Sequence, residues 1–543
     1  MTPSRRLPAL LAAATVLPGA LHAQATDTKA CVPSDQLSCA CDANAGVNSV
    51  VKPCFIGDVF RDTQTSLDPY AANMFAAVMW PAKSRAVPDY GITTPSDAGA
   101  SFETVLDGWR STRDVFQLSG AAPVPWDSSE TAPLPEACAR LDIAAEKAKY
   151  GDRGAAIPDR LPPRYLDEYV NPQGHALIDA SGRPARFEVA FNRQALGYVT
   201  ENDLWQAAAL GEYLDKHGAL DLPAGSWNAG GQGSTVERRR GAIVAKMAWK
   251  ILDPNDDPDW SVFHTSWAYV TPVIENGQRT HGCALMPVGL VGLHLSAKLG
   301  SLGAASEGRD SDWLWASFVH TGVAPAFEDV GRASMGWVAG GLQSWLYYDP
   351  ASAALVNRPP RSALARLASQ IVREYPSGYY AAPQPPRALI VTDAGGQSAP
   401  AACNASNPTY PCSDPELKEK LAGTPFADFH VIRQQGADCS SSSRDFSCIN
   451  QELRAGFAGT AMEHYELLGS QWMQKIAGQS QGALFPAVLG NPTLESYTQN
   501  DASSGACHAS ATAGDGFQPA HTLDSIFSFY NDVLARSAPG QAK

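Results

Sequence analysis

Segments between residues 243 and 320 alternate in a way that limits what this chain can fold into. In Ile243–Leu252 the apolar residues Ala245, Met247, Trp249 and Ile251 face away from Lys246, Ala248 and Lys250. This two-residue period predicts β-strands with one face in a core. Gly, Pro and Asn-Gly separate the segments, and short turns favour an antiparallel sheet. The pattern continues in three further segments, Phe263–Val273, Leu285–Leu295 and Trp313–His320.

Helical spacing appears on both sides of this block. Pro69–Trp80 predicts a short apolar helix, and Phe102–Phe116 predicts a second one. Apolar residues of Ile449–Met473 fall on one helical stripe, and Leu523–Leu534 predicts a closing amphipathic helix. We therefore predict an α+β fold: an antiparallel sheet core with loop-rich excursions and a helical C-terminal region.

The N-terminus has the pattern of a secretory signal peptide. Arg5 and Arg6 precede the apolar run Leu7–Leu21, and the small-x-small sequence Ala23-Gln24-Ala25 follows. No later run is long and apolar enough to predict a membrane span. We expect a periplasmic or secreted protein with four parts: a signal peptide (1–25), a Cys-rich N-terminal segment (26–65), an α+β main domain (66–445) and a helical C-terminal region (446–543).

The eleven cysteines all follow the signal peptide, and in an oxidising compartment many should pair. Two close pairs are spaced to close small disulfide loops: Cys403/Cys412 and Cys439/Cys448. Because eleven is odd, at least one thiol remains unpaired within the chain. Cys507 is the candidate with a distinct role, and the alternative is a buried free thiol at Cys138 or Cys283.

The charge balance excludes some classes of partner. The chain has a net charge of −14, and its one basic run, Arg238–Arg240, lies in a Gly/Ser-rich loop. An acidic chain of this kind is not expected to bind nucleic acid or an anionic membrane surface. The expected partner is a redox partner protein or a small-molecule substrate.

The stretch Ser503–Ala509 contains part of a haem attachment site. A c-type site has the pattern Cys-x-x-Cys-His, in which two thiols form thioethers and the histidine ligates iron. Here Cys507 and His508 match the second thiol and the ligand, and Ser504 replaces the first cysteine. The pattern indicates either haem c held by a single thioether or a site that has lost its haem.

Several segments resemble uncharacterised exported bacterial cytochrome-c-like proteins that carry a single CxxCH near the end. The resemblance implies covalent haem, with Cys507 as the tether and His508 as the iron ligand, and a cytochrome-c-like C-terminal region. It implies no particular reaction. In order along the chain, the matching segments are FAAVMWPA (75–82), FETVLDGWRSTRDVF (102–116), FNRQALGYVTENDLW (191–205), GAIVAKMAWKIL (241–252), VGLVGLHL (288–295), WLWASFVH (313–320), Tyr465–Trp472 and NPTLESYTQNDASSGACHASA (491–511).

The second axial ligand of such a haem is not defined by the sequence. Methionine would favour electron transfer, whereas an open or histidine-lined site would favour oxygen or peroxide chemistry. The candidates are Met462, Met473, His294 and His320. A histidine inside an apolar strand is more typical of a hydrogen-bonded core residue, and this applies to His264 as well; His294 and His320 are favoured because both lie in segments that resemble the family.

Two other functions are compatible with the sequence. One is a non-haem secreted binding or structural protein in which the cytochrome site has decayed. The other is a serine hydrolase that uses Ser480 in Gly478-Gln479-Ser480-Gln481-Gly482. A nucleophile elbow needs a strand before the serine and a helix after it, whereas the sequence predicts a helix before Ser480. The first hypothesis is therefore an exported haem protein for electron transfer or oxidation of a small molecule.

Overall fold

A computed structural model describes most residues from Gln64 to Gln499. The residues in this range that it does not describe are 90, 172–174, 229–236, 240, 258, 276, 300–308, 327–332, 334–335, 337, 352–356, 358, 360–368, 374–389, 393–397, 401–445, 475–482 and 486–488.

Strands account for most of the regular structure that is described. They are β1 (Ala82–Ser84), β2 (Val87–Pro88), β3 (Arg110–Ser111), β4 (Arg164–Leu166), β5 (Arg186–Phe191), β6 (Ser226–Asn228), β7 (Glu237–Arg239), β8 (Ile243–Ile251), β9 (Thr265–Val270), β10 (Val273–Glu275), β11 (Gln278–His281), β12 (Ala284–Lys298), β13 (Arg309–His320), β14 (Ile390–Thr392), β15 (Ser398–Pro400), β16 (Tyr465–Gln474) and β17 (Ala483–Phe485).

The helices are short, apart from a few. They are α1 (Gln64–Val78), α2 (Thr112–Val115), α3 (Glu136–Ala139), α4 (Ile143–Ala148), α5 (Gly151–Ala155), α6 (Arg193–Glu201), α7 (Ala207–His217) and α8 (Phe446–Gly456), with 3₁₀ turns at Pro95–Ala98, Leu106–Gly108 and Ala461–His464.

One nine-stranded sheet organises these elements. Its main path runs β17-β16-β13-β12-β8-β5-β3, and β9 pairs with the first half of β12. All neighbours are antiparallel except β4 and β9, which are parallel. The four strand segments predicted between residues 243 and 320 are present in this sheet. Strand β12 is the longest, with 15 residues, and pairs with β8, β9 and β13.

The two faces of the sheet bury different side chains because strand residues alternate in direction. One face carries Trp249, Leu293 and Phe318, and helices α1 and α8 pack on it to form the largest apolar core. We call it the helix-packed face. The opposite face carries two further apolar clusters, around Val291 and around Trp315. Lys246, His294 and Ser317 also point to the opposite face, and they are cross-strand neighbours in one row.

The predicted α+β class with a helical C-terminal region is wrong, because the fold is dominated by the sheet. Residues 449–473 do not form one helix: α8 ends at Gly456, and the chain enters β16 at Tyr465. Gly459 adopts φ +80°, a left-handed conformation suited to glycine, and so the helical spacing is interrupted. Strand β16 then pairs with β13 inside the main sheet. The predicted helix at Leu523–Leu534 lies outside the described residues.

The prediction of one helix over Phe102–Phe116 is also wrong. The segment contains a 3₁₀ turn, strand β3 and the four-residue helix α2. Side chains compete with the helical hydrogen bonds, because Asp107 accepts from the backbone of Thr104 and Ser111 caps α2. Gly108 lies so close to Ala86 that a Cβ atom would be 2.1 Å from its backbone nitrogen. The helix predicted at Pro69–Trp80 is present as α1.

The alternative of a free buried thiol at Cys138 or Cys283 is wrong, since these two residues form a disulfide with each other. The bond joins α3 to the turn before β12. It holds an excursion, residues 133–163, that contains α3, α4 and α5, and we call this excursion the edge strap. The predicted pairs Cys403/Cys412 and Cys439/Cys448 lie outside the residues whose side chains are described.

Candidate functional site

The predicted haem residues follow a described segment of the chain. Cys507, His508 and Ser504 themselves lie outside the described residues, whereas the chain is described up to Gln499. Residues 489–499, which we call the C-terminal cover, lie on the opposite face of the main sheet. The position of this cover is therefore the structural information closest in sequence to the predicted site.

Buried polar contacts hold the C-terminal cover on the sheet. Asn491 Nδ2 donates to Ser317 Oγ (3.1 Å) and to the carbonyl oxygen of Phe318 (2.9 Å) on β13. Tyr497 Oη donates to the carbonyl oxygen of Ala176 at 2.8 Å. Gln499 Nε2 donates to the carbonyl oxygen of Val372 at 3.1 Å. The cover has no strand pairing among its described residues, so side chains provide much of its attachment to the sheet.

His294 lies under the C-terminal cover in a row of polar residues. Its Nε2 is 3.4 Å from Glu495 Oε2 of the cover, and Lys246 Nζ is 3.6 Å from the other oxygen, Oε1. The side chain of His294 is 8% exposed, and its Nε2 has no hydrogen-bond partner among the described residues. Burial lowers the pKa of His294 from 6.5 to about 4, although Glu495 raises it; Lys246 lowers it further. His294 is therefore a neutral imidazole at pH 7.

Gly292 allows the C-terminal cover to approach β12. A Cβ atom at this position would lie 1.8 Å from Thr493 Oγ1, which no rotation of the Gly292 backbone within a paired strand can relieve. We expect Gly292→Ala to lower the free energy of unfolding by about 1–3 kcal/mol, because overpacking displaces the cover. Urea unfolding monitored by circular dichroism measures this loss.

Two further variants identify the cause of that loss. Thr493→Ala removes the clashing oxygen and should restore part of the stability of Gly292→Ala, giving a favourable coupling in a double-mutant cycle. Gly211→Ala in α7 is the matched control, since nothing lies within 4 Å of its added Cβ, and it should be neutral or stabilising. Additive effects of Gly292→Ala and Thr493→Ala would contradict the close contact.

His320 belongs to a different cluster from His294. Its Nε2 is 3.0 Å from the carbonyl oxygen of Val262 and so donates, while its Nδ1 accepts from the backbone of Gly322 at 3.0 Å. Burial lowers its pKa to about 3, and the neighbouring His464 lowers it too. Because both ring nitrogens are engaged, the position of His320 is that of a structural core histidine. The structure does not bring the two favoured histidine candidates together.

His264 is part of a buried charge network. Its Nε2 donates to Asp107 Oδ1 at 3.0 Å, and Asp107 also pairs with Arg164. Arg164 pairs in addition with Glu188 at 2.6 Å and lies over the ring of Trp249 at 4.4 Å. Burial raises the pKa of Asp107, but His264 and Arg164 outweigh burial and hold it below its usual value. Burial raises the pKa of Glu188 by more than Arg164 lowers it, so this pKa lies above its usual value.

This network has a structural rather than a ligand-binding character. Each carboxylate oxygen of Asp107 has two donors: Arg164 and His264 on Oδ1, and the backbone and hydroxyl of Thr104 on Oδ2. The adjoining cavity, between Asp107 and Trp267, has a volume of about 20 Å³. That is room for a water molecule and too small for an organic substrate.

The remaining predicted residues are Met462, Met473 and Ser480. Met462 is buried in the core of the helix-packed face. Met473 lies on β16, and its side chain is not described. The expected helix before Ser480 is wrong, since β16 precedes the Gly478–Gly482 motif and pairs with β17 after it. This strand–strand context differs from the strand–helix context of a nucleophile elbow, and Ser480 itself lies outside the described residues.

Glu495, Arg164 and Asp107 were not predicted from the sequence. A lysine inside an otherwise apolar strand, such as the partly buried Lys246, was the available signal for a charge cluster, because a lysine is withdrawn from water only with a partner. The partner, Glu495, is distant in sequence and could not be assigned. Among the described residues there is no group of three or more His, Cys, Asp or Glu side chains that could hold a metal ion.

Comparisons of the chain with models of protein families, with curated proteins and with solved structures give no match. Within the described ranges, no helix combines the length and the apolar character that a membrane crossing requires.

Proposed function

We propose that this chain is an exported haem protein resembling c-type cytochromes, with a single thioether to Cys507 and with His508 as an iron ligand. The donor set fits a haem held by one thioether, since Cys507 and His508 match the second thiol and the iron ligand of Cys-x-x-Cys-His, while Ser504 leaves the first thioether unformed. Bound haem would supply one-electron redox chemistry at iron. The proposed role is electron transfer or oxidation of a small molecule, with a redox partner protein or that molecule as the partner.

The disulfide is the observation that carries this proposal. Cys138–Cys283 is a bond expected in an oxidising compartment, which supports export to the periplasm or outside the cell. Subtracting these two from eleven cysteines leaves nine, which is still odd. At least one thiol among the nine therefore has no intramolecular partner, and Cys507 is the one that precedes the proposed iron ligand, His508, in the sequence.

The C-terminal cover gives the second support. Its last residue, Gln499, is held by a hydrogen bond to the carbonyl oxygen of Val372. Only residues 500–506 separate Gln499 from Cys507. A chain of this length spans at most about 28 Å when fully extended. The attachment site thus follows directly after an anchored part of the fold. A haem held by one thioether depends on such anchoring more than a haem held by two.

The test is an absorption spectrum of the protein produced in a periplasm with haem-attachment machinery. We expect a Soret band that survives acid–acetone extraction, because a thioether is not broken by this treatment. Cys507→Ala should make the haem extractable. Ser504→Cys should shift the pyridine haemochrome spectrum, because a second vinyl group is then consumed.

Ser510→Cys is the matched control for the added thiol. It places a cysteine on the other side of His508, outside the Cys-x-x-Cys-His spacing, and should leave the haemochrome spectrum unchanged. A folded, exported and colourless protein would contradict the haem proposal and favour a non-haem binding or structural protein.

A further inference from the structure

We propose that the C-terminal cover is an acid-released latch, in which protonation of His294 opens residues 489–499 away from the sheet. The proposal concerns described residues and does not depend on haem. Its basis is the row of Lys246, His294 and Glu495, in which His294 and Glu495 are buried, Lys246 is 26% exposed, and a single carboxylate serves two potential cations.

The charges around His294 determine which protonation state the closed cover accepts. The charged groups that face it are Lys246 from β8 and Glu495 from the cover, while β13 contributes the uncharged Ser317. With His294 neutral, Lys246 and Glu495 balance each other. With His294 protonated, the row has a net positive charge, and a buried imidazolium lies close to the partly exposed ammonium of Lys246. Hydration of the imidazole relieves this state, and hydration requires that the row opens.

The cover is the element that can open. His294 lies between β8 and β13 in the middle of the sheet, where β12 has ladder hydrogen bonds on both sides. The cover has no such ladder, and several of its hydrogen bonds are internal, such as Thr493 N to Asn491 Oδ1 at 2.9 Å. Local opening follows the segment with the fewest ladder bonds, and so the cover opens before the strands.

The size of the effect follows from linkage. The pKa of His294 is about 4 in the closed state, and an exposed imidazole has a pKa of 6.5. Closing is therefore favoured above pH 6.5, and this preference is lost as the pH falls toward 4. A difference of 2.5 pKa units corresponds to a rise of about 120-fold in the opening equilibrium between pH 7 and pH 4, because at pH 4 about half of the closed molecules also carry the proton.

Hydrogen exchange of the full chain tests this. Protection factors, which are corrected for the intrinsic pH dependence of exchange, should fall by about 120-fold between pH 7 and pH 4 at the backbone amides of Asn491, Thr493 and Glu495. The amides of Leu293 and Leu295 in β12 should stay protected over this range. A parallel loss of protection in the cover and in β12 would overturn the proposal, because it would show global unfolding.

Variants separate His294 from other groups. His294→Gln should remove the pH dependence of cover opening, whereas His281→Gln, at an exposed position of β11, should leave it as in the wild type. If His294→Gln does not fold, Lys246→Met provides the test. Removing this cation raises the closed-state pKa of His294, and so the rise in opening should be smaller than the wild-type value of about 120-fold. An unchanged pH dependence in His294→Gln or in Lys246→Met would overturn the latch.

Discussion

Replacing Arg164 by methionine should lower the free energy of unfolding by about 3–5 kcal/mol at pH 7, because it leaves two buried carboxylates without their shared cation. Asp107 and Glu188 both pair with this arginine, and the three side chains are between 7% and 9% exposed. Methionine fills much of the volume that Arg164 occupies over Trp249. The loss of stability therefore measures the missing charge more than lost packing. Urea unfolding at pH 7 measures the effect.

The pH dependence of this variant distinguishes charge from packing. Without Arg164, burial raises the pKa values of Asp107 and Glu188, and carboxyls with raised values favour the folded state more as the pH falls. The difference in stability between wild type and Arg164→Met should therefore shrink from pH 7 to pH 4. Arg140→Met is the matched control: Arg140 is 75% exposed in its pair with Glu136, and its loss should cost less than about 1 kcal/mol. A pH-independent deficit in Arg164→Met would contradict the electrostatic explanation.

Removal of the Cys138–Cys283 disulfide should have a comparable effect. The two residues are 145 positions apart, and the chain-entropy model assigns about 4–5 kcal/mol to a cross-link over a loop of this length. We expect Cys138→Ala/Cys283→Ala to lose about 2–5 kcal/mol, with cleavage by proteases in the edge strap. The strap keeps Tyr150 between Trp260 and Trp267, at ring distances of 6.0 and 5.6 Å, but it has no strand pairing of its own.

The reduced wild type is the matched control for this double variant. With a dithiol reductant present during unfolding, the wild type should approach the stability of the double variant, and the variant itself should not respond further to reductant. Equal stability of the variant and the oxidised wild type would show that packing alone holds the strap.

The central strands could be predicted from the sequence, because alternation in Ile243–Leu252 and its neighbours is a local property. Even the face assignment within β8 holds: Trp249 lies in the helix-packed core, and Lys250 points to the opposite face. The ion-pair partners of Lys250 were not predictable. It is buried and pairs with Asp179 at 3.0 Å and Asp257 at 2.8 Å. Asp179 is far away in sequence, and only the tertiary fold brings it to the lysine.

In the helix predicted over 449–473, the buried residues were predicted correctly, whereas their spacing was wrongly interpreted as helical throughout. Leu453, Phe457, Tyr465 and Trp472 are all buried, as the helical stripe over 449–473 required. A strand that has both faces covered also buries successive residues, so the stripe does not distinguish α8 from β16. Pairing with β13 decided the outcome, and pairing between distant segments is not visible in local spacing.

The candidate site was predicted only in part. His294 was favoured because it lies in a segment that resembles the cytochrome-c-like family, but its neighbours Lys246 and Glu495 depend on strand register and on the path of the C-terminal cover. His320 was selected on the same ground, and its two hydrogen bonds give it a structural position. An isolated histidine in a strand therefore indicates burial, and the surrounding charges decide what it can do.

The haem tether is tested most directly by the intact mass of the denatured, exported protein. We expect the mass of the chain without residues 1–25 plus the mass of one haem, and we expect Cys507→Ala to show the chain mass alone. A wild-type protein that is folded, exported and matured in the presence of haem-attachment machinery, yet has only the mass of its chain, would contradict the covalent haem at Cys507.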